Sequence, residues 1–155
     1  METMTLRAIR EAGLEDLQRG RIDETIARRL WAHPALHAVR ALADGVRKRL
    51  HGDRVARVRA PSGPGAAVLD VSVGDVVAAV LALRDRRHAT VIVRDAARRR
   101  TALELLRACA LARLVLDDVP HIAVSAIELG PQLAPIALDY GVDQLVECLA
   151  QEAAA

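Results

Sequence analysis

The sequence predicts an α/β fold, with a parallel sheet behind an N-terminal run of helices. Three observations carry this reading. Up to residue 53 the apolar residues recur at helical spacing. From residue 54 onward, short runs rich in Val, Ile and Ala alternate with helical stretches. Strand–helix–strand units of that kind need crossover connections, and such crossovers are right-handed and leave neighbouring strands parallel.

Residues 5–18 predict one amphipathic helix, with Leu6, Ile9, Leu14 and Leu17 on one face and Gly13 as its weak point. Asp23 is placed to cap a second helix over 23–31, whose apolar face carries Ile26, Leu30 and Trp31. Pro34 suits the start of a third, bearing Leu36, Val39, Leu42, Val46 and Leu50. Arg47, Lys48 and Arg49 sit in its last turns, where positive charge complements the helix dipole, and His51-Gly52-Asp53 closes it. Strands are expected over 54–60, 67–73, 89–95 and 120–127, with helices over 75–86, 101–117 and 131–139. A short segment at 140–142 and a final helix over 143–152 complete the chain. The stretch Pro61-Ser62-Gly63-Pro64-Gly65 is the one linker-like passage. One domain results, with a helical cap over 1–53 and an α/β region over 54–155.

The chain has 155 residues, 52% of them hydrophobic, but no Phe, one Trp and one Tyr. Arg and Ala are abundant beside a single Lys, Lys48, as expected of a GC-rich bacterial genome. A core of Ala, Val and Leu buries less area per residue than one with aromatics, so it needs tight packing or a partner. The net charge of +2, with both signs interspersed, gives no drive towards nucleic acid or anionic membranes. Cys109 and Cys148 match no metal or disulfide framework. No basic segment followed by an apolar run opens the chain, and no apolar run approaches the ~20 residues of a membrane span. A cytoplasmic protein is expected.

Two stretches carry a family resemblance. LADGVRKRLHGDRV, from Leu42 to Val55, resembles the helix that leads into the first barrel strand of radical S-adenosylmethionine enzymes of the futalosine route to menaquinone. Those enzymes are aminofutalosine synthase and cyclic dehypoxanthinyl futalosine synthase, with the deazaflavin synthases as cousins. TALELLRACALARLVLDDVPHIAVSAIELGPQLAPIALDYGVDQL, from Thr101 to Leu145, is similar to their C-terminal portion, with its LDN-pHI strand, LGp helix start and GADDL segment. Residues 74–94 match the helix and strand before it. The resemblance implies a partial (β/α) barrel-like parallel sheet of about five strands with an N-terminal helical cap.

In that family the strand after HGDRV runs into a CxxxCxxC loop whose thiolates hold a [4Fe–4S] cluster. Here it runs into Ala60-Pro61-Ser62-Gly63-Pro64-Gly65, and the chain resumes at what resembles the fifth barrel strand. A cluster needs deprotonated sulfur ligands, and two distant cysteines do not supply them. No iron–sulfur cluster, S-adenosylmethionine or metal is therefore expected. Asp118 stands where the family has Asn, Gln144 replaces the second Asp of GADDL, and Val146-Glu147 replaces Gly-Thr. The family's substrate contacts accordingly do not transfer. The resemblance implies a non-catalytic accessory or binding protein of menaquinone biosynthesis; a small-molecule binder or small enzyme reusing the barrel mouth is the alternative. Removing barrel strands leaves open edges, so a homo-oligomer or an intact paralogous enzyme is the expected partner.

Candidate ligand residues lie mostly where α/β sheets bind ligands, at strand carboxyl ends. Arg94, Arg98, Arg99 and Arg100 follow strand 89–95 and precede a helix start at Thr101, a setting for a small anionic ligand. A solvated Arg-rich loop is the simpler reading. Nucleic acid is not expected there, because no aromatic stands ready to stack on a base. Glu128 follows strand 120–127, and the resemblance places Asp143 near the family's active-site mouth. His121, at the amino end of its strand, reads as a structural histidine. His33 and His37 are four apart, but Pro34 interrupts them. No Ser–His–Asp set, P-loop or GxGxxG points to a hydrolase, an NTPase or a dinucleotide enzyme.

Overall fold

The computed structural model describes residues 4–18, 21–59 and 65–147. Three helices open it: α1 (Met4–Glu11), α2 (Glu24–Ala32) and α3 (Leu36–His51). The expected helix over 5–18 breaks at Gly13, whose φ of 70° ends α1, and a 3-10 turn over Glu15–Gln18 follows. The break is a Schellman closure: Leu14 N–H donates to Ile9 O and Gly13 N–H to Arg10 O, while Leu14 buries completely. Asp23 caps α2 through Ile26 N, as its position suggested.

The α/β part runs β1 (Ala56–Val58), β2 (Ala66–Asp70), α4 (Val76–Arg84), β3 (Thr90–Arg94), α5 (Ala102–Val115), β4 (His121–Ser125), α6 (Ala126–Leu138) and β5 (Gln144–Val146). The five strands form one all-parallel sheet in the order β1-β5-β4-β3-β2. Strands β2 to β5 step across it in sequence, so right-handed crossovers put α4, α5 and α6 on one face. Leu69, Val91, Val93, Ile122, Val124 and Leu145 face those helices in the main core. The alternate residues Ile92, Ala123 and Val146, with Val58 against them, form a smaller cluster on the other face.

Two expectations need correcting at the C-terminal end. Helix α6 starts at Ala126 rather than 131, because Ser125 Oγ caps it through Glu128 N. It then kinks at Gly130 (φ 84°) and restarts at Pro131, a residue suited to a first helical position. The short segment expected at 140–142 is a turn at Gly141 (φ 93°), and the strand comes after it, at 144–146, where a helix was expected. Residues 148–155, with Cys148, and 60–64, most of the linker-like stretch, lie outside the described residues.

The N-terminal helices pack on one another and on helices of the α/β part. They form an outer layer in which α1 packs on α3, α2 on α4 and α5, and α3 on α5. Helix α5 is thus enclosed between that layer and the sheet, which explains its run of buried residues from Leu105 to Val115. The arginines have a structural use in this packing. Arg84 donates to Val115 O at the end of α5 and to Ile22 O, and Arg107 donates to Leu30 O at the end of α2. Arg84 thereby satisfies Val115 O, which the end of α5 leaves without an intrahelical partner, and Arg107 adds a second donor to Leu30 O beside His33 N. No helix among the described residues is long and apolar enough to cross a membrane.

Candidate functional site

Polar side chains gather at both ends of the sheet. At the carboxyl end, the turn after β3 is built on Asp95, whose carboxylate accepts from Arg99 N (3.0 Å) and Arg100 N (2.8 Å). This turn includes Arg98, the only non-glycine residue among those described with positive φ (53°). Thr101 then opens α5 in a reciprocal capping box with Glu104. Helix α6 begins beside it, so two helix N-termini converge on one cleft of about 410 Å³. Arg94, Asp95, Arg98 and Glu128 form its polar wall, and Leu105, Leu129 and Leu133 its apolar one.

Arg94 is the central group. Its Nη2 lies 2.7 Å from Glu128 Oε1, yet its Nε is buried with no hydrogen-bond partner among the described residues. A buried donor of that kind costs free energy until something accepts from it. Arg94 also acts on Asp70, at the end of β2. Burial opposes ionisation of Asp70, but hydrogen bonds from Ser72 Oγ, Ser72 N and Ala96 N, with Arg94 nearby, outweigh it and hold the carboxyl below its ordinary value.

The four clustered arginines therefore part company. Arg94 and Arg98 line the cleft. Arg100 borders it but is committed elsewhere: Nε donates to Val71 O, Nη2 to Gly74 O and Nη1 to Glu104, while the guanidinium lies 6.0 Å from the Trp31 ring centre. Arg99 is exposed and outside the lining.

Asp143 does not belong to this cleft. Because the strand follows Gly141 instead of preceding it, Asp143 leads into β5 at the amino end of the sheet, opposite Glu128 and Arg94. There it is buried and serves as a hub. Oδ1 accepts from Arg113 Nη2 (2.5 Å) and Ile122 N (2.8 Å), and Oδ2 lies 2.6 Å from His121 Nδ1 and 3.6 Å from His51 Nε2. The imidazoles of His51 and His121 stack, with centres 4.9 Å apart and planes 19° apart. Arg113 is fully buried and also donates to Gly141 O, Val119 O and Pro120 O. Burial pushes its guanidinium down from the ordinary value, with Asp143 pulling the other way.

Asp143 and His121 can be weighed as site residues from the sequence, whereas Arg113 draws no attention there and His51 reads only as part of a helix end. One signal was present: Arg113 is the only charged residue in the apolar run from Ala108 to Leu116. Two other residues weighed in the sequence are occupied or sealed. His33 takes up both ring nitrogens, with Ala12 O and Ala35 N. Cys109 is fully buried, and desolvation pushes its thiol up to about 12, so it offers no thiolate near neutral pH.

No protein-family model matches the chain, and no curated protein matches it.

Proposed function

We propose that the protein is a non-catalytic binding protein that holds a small anionic ligand in the cleft at the carboxyl end of its sheet. The observation that carries this is the pair Arg94 and Arg98, whose side chains line one cleft where the N-termini of α5 and α6 converge. A carboxylate or phosphate oxygen there would accept from Arg94 and lie near the N-termini of α5 and α6. The leucines opposite suit an apolar body on the same ligand.

We further propose that the fold derives from the radical enzymes of the menaquinone route and serves that route as an accessory or binding subunit. Strand order supports this origin. The first strand pairs with the last, as barrel closure requires, and the sheet opens between β1 and β2, the point where the resemblance lacks strands. The chain has only two cysteines, and the thiol of Cys109 is sealed, so a three-thiolate cluster loop finds no ligands. The partner in this reading is a second copy or an intact paralogue. Edge strand β2 bears no charge before Asp70 and exposes Val68, the kind of edge that pairs with another chain.

Thermal-shift measurement against inorganic phosphate, futalosine-like nucleosides and S-adenosylmethionine tests the binding role. A ligand that binds the folded state raises the melting temperature. The expected result is a rise with an anionic member of the panel that disappears in Arg94→Gln; no rise with any of them contradicts the reading. Light scattering at micromolar concentration tests the partner: a dimer that Val68→Lys dissociates is expected of self-pairing. Recovery of pathway enzymes in a pull-down from the native host is expected of an accessory subunit.

A further inference from the structure

We propose that His51, His121 and Asp143 bind one divalent transition-metal ion at the amino end of the sheet, a site separate from the carboxyl-end cleft. Each residue offers one ligand atom, and these atoms all lie within 4.8 Å of one another. Two imidazoles and a carboxylate form a nitrogen–oxygen set that suits zinc and related ions such as cobalt and nickel. With no thiolate alongside, the set disfavours copper(I).

Two of the three ligand pairs lie near the spacing an ion requires, and all three atoms fall within 4.8 Å. Metal–ligand bonds of about 2.0–2.2 Å place neighbouring ligand atoms roughly 3.3 Å apart. His51 Nε2 and Asp143 Oδ2 are already 3.6 Å apart. His121 Nδ1 and Asp143 Oδ2, at 2.6 Å, are at hydrogen-bond distance, and they need to separate by less than an ångström to accept an ion between them. In the bound state each ring carries its proton on the other nitrogen. His51 gives up its contact with Pro120 O, which keeps the hydrogen bond from Arg113 Nη1.

The surroundings prepare the ligands. Arg113 Nη2 and Ile122 N occupy Oδ1 of Asp143, leaving Oδ2 for the imidazoles, and outer partners of this kind orient a metal's ligands. Arg113 also balances the carboxylate, so the ion meets two imidazoles and a neutral ion pair rather than a free cation. The three ligands come from separate places: the end of α3, the first residue of β4 and the residue leading into β5. His121 is 35% exposed and His51 17%, which supplies an entry path and a solvent-facing coordination position.

The test is titration of the metal-free full chain with Zn²⁺ by calorimetry and with Co²⁺ by visible absorption. One equivalent should bind, with Co²⁺ bands of nitrogen and oxygen ligation. His51→Gln and His121→Gln, checked for fold by circular dichroism, should each weaken Zn²⁺ binding by at least about tenfold. His33→Gln and His37→Gln should leave it unchanged. Should a variant lose its fold, imidazole ¹⁵N resonances of the unaltered chain decide: Zn²⁺ should shift those of His51 and His121 and spare those of His33, His37 and His88. Absence of uptake at millimolar Zn²⁺, or uptake indifferent to both variants and to both ring shifts, overturns the proposal and leaves a hydrogen-bonded structural cluster.

Discussion

Arg113 Nη2 lies 2.5 Å from Asp143 Oδ1, and both side chains are sealed from solvent, at 0% and 3% exposure. A buried pair is not by itself strong evidence of stabilisation, because desolvating two charges offsets much of their attraction. Removing one partner is a different matter, since it strands the other in the interior. Arg113→Met should cost about 3–5 kcal/mol in urea unfolding, and Asp143→Asn a comparable amount. In the double variant the losses should fall well short of additive, and strict additivity would show that the two do not act as a pair.

Gly141 gives a second handle on the same place. Its φ of 93° disfavours a side chain, and an added Cβ would meet Arg113 Cβ and Cγ at 2.8 Å. Gly74 shares the positive φ (75°) but faces open space. Gly74→Ala should cost about 1–2 kcal/mol from backbone conformation alone. Gly141→Ala should exceed it by about 1–3 kcal/mol, the effect of crowding Arg113. Equal losses by thermal or urea unfolding would mean that Arg113 moves aside without cost.

Acid stability should report on Asp70. Its carboxyl titrates below the ordinary 3.8, so folding gains stability from it above that value and loses it as pH falls through the lower, folded value. Asp70→Asn should lower stability near neutral pH and flatten the acid limb of the stability profile below about pH 4. An acid limb unchanged by the substitution would place the linkage on other carboxyls.

Much of the fold could be read from the chain because local rules and tertiary packing agree there. Asp23 caps α2 and Thr101 opens α5 where the sequence places those helix starts, and the Val- and Ile-rich runs became strands β3 and β4. Strand β5 escaped because three residues, Gln144-Leu145-Val146, sit in a stretch whose apolar spacing also fits a helix. Its pairing with β1 and β4 decides the matter, and that pairing is not local. The same shift moved Asp143 to the end of the sheet opposite Glu128. The membership of His51 and Arg113 in this cluster is not legible for a related reason: their partners lie far along the chain, with Asp143 30 residues beyond Arg113. At the carboxyl end the Arg-rich run was visible as composition. Only packing separates Arg94 and Arg98, which line the cleft, from Arg100, which ties loops together.

Calorimetric titration with the anionic ligand that gives the largest thermal shift decides whether Arg94 makes the carboxyl-end cleft an anion site. Saturable binding should occur in the wild-type chain at one site. It should weaken by at least about tenfold in Arg94→Gln, since a hydrogen bond to a charged group is worth roughly 1.5–3 kcal/mol, and it should survive Arg99→Gln. Binding that Arg94→Gln leaves intact, or no binding by any anion of the panel, would contradict the account.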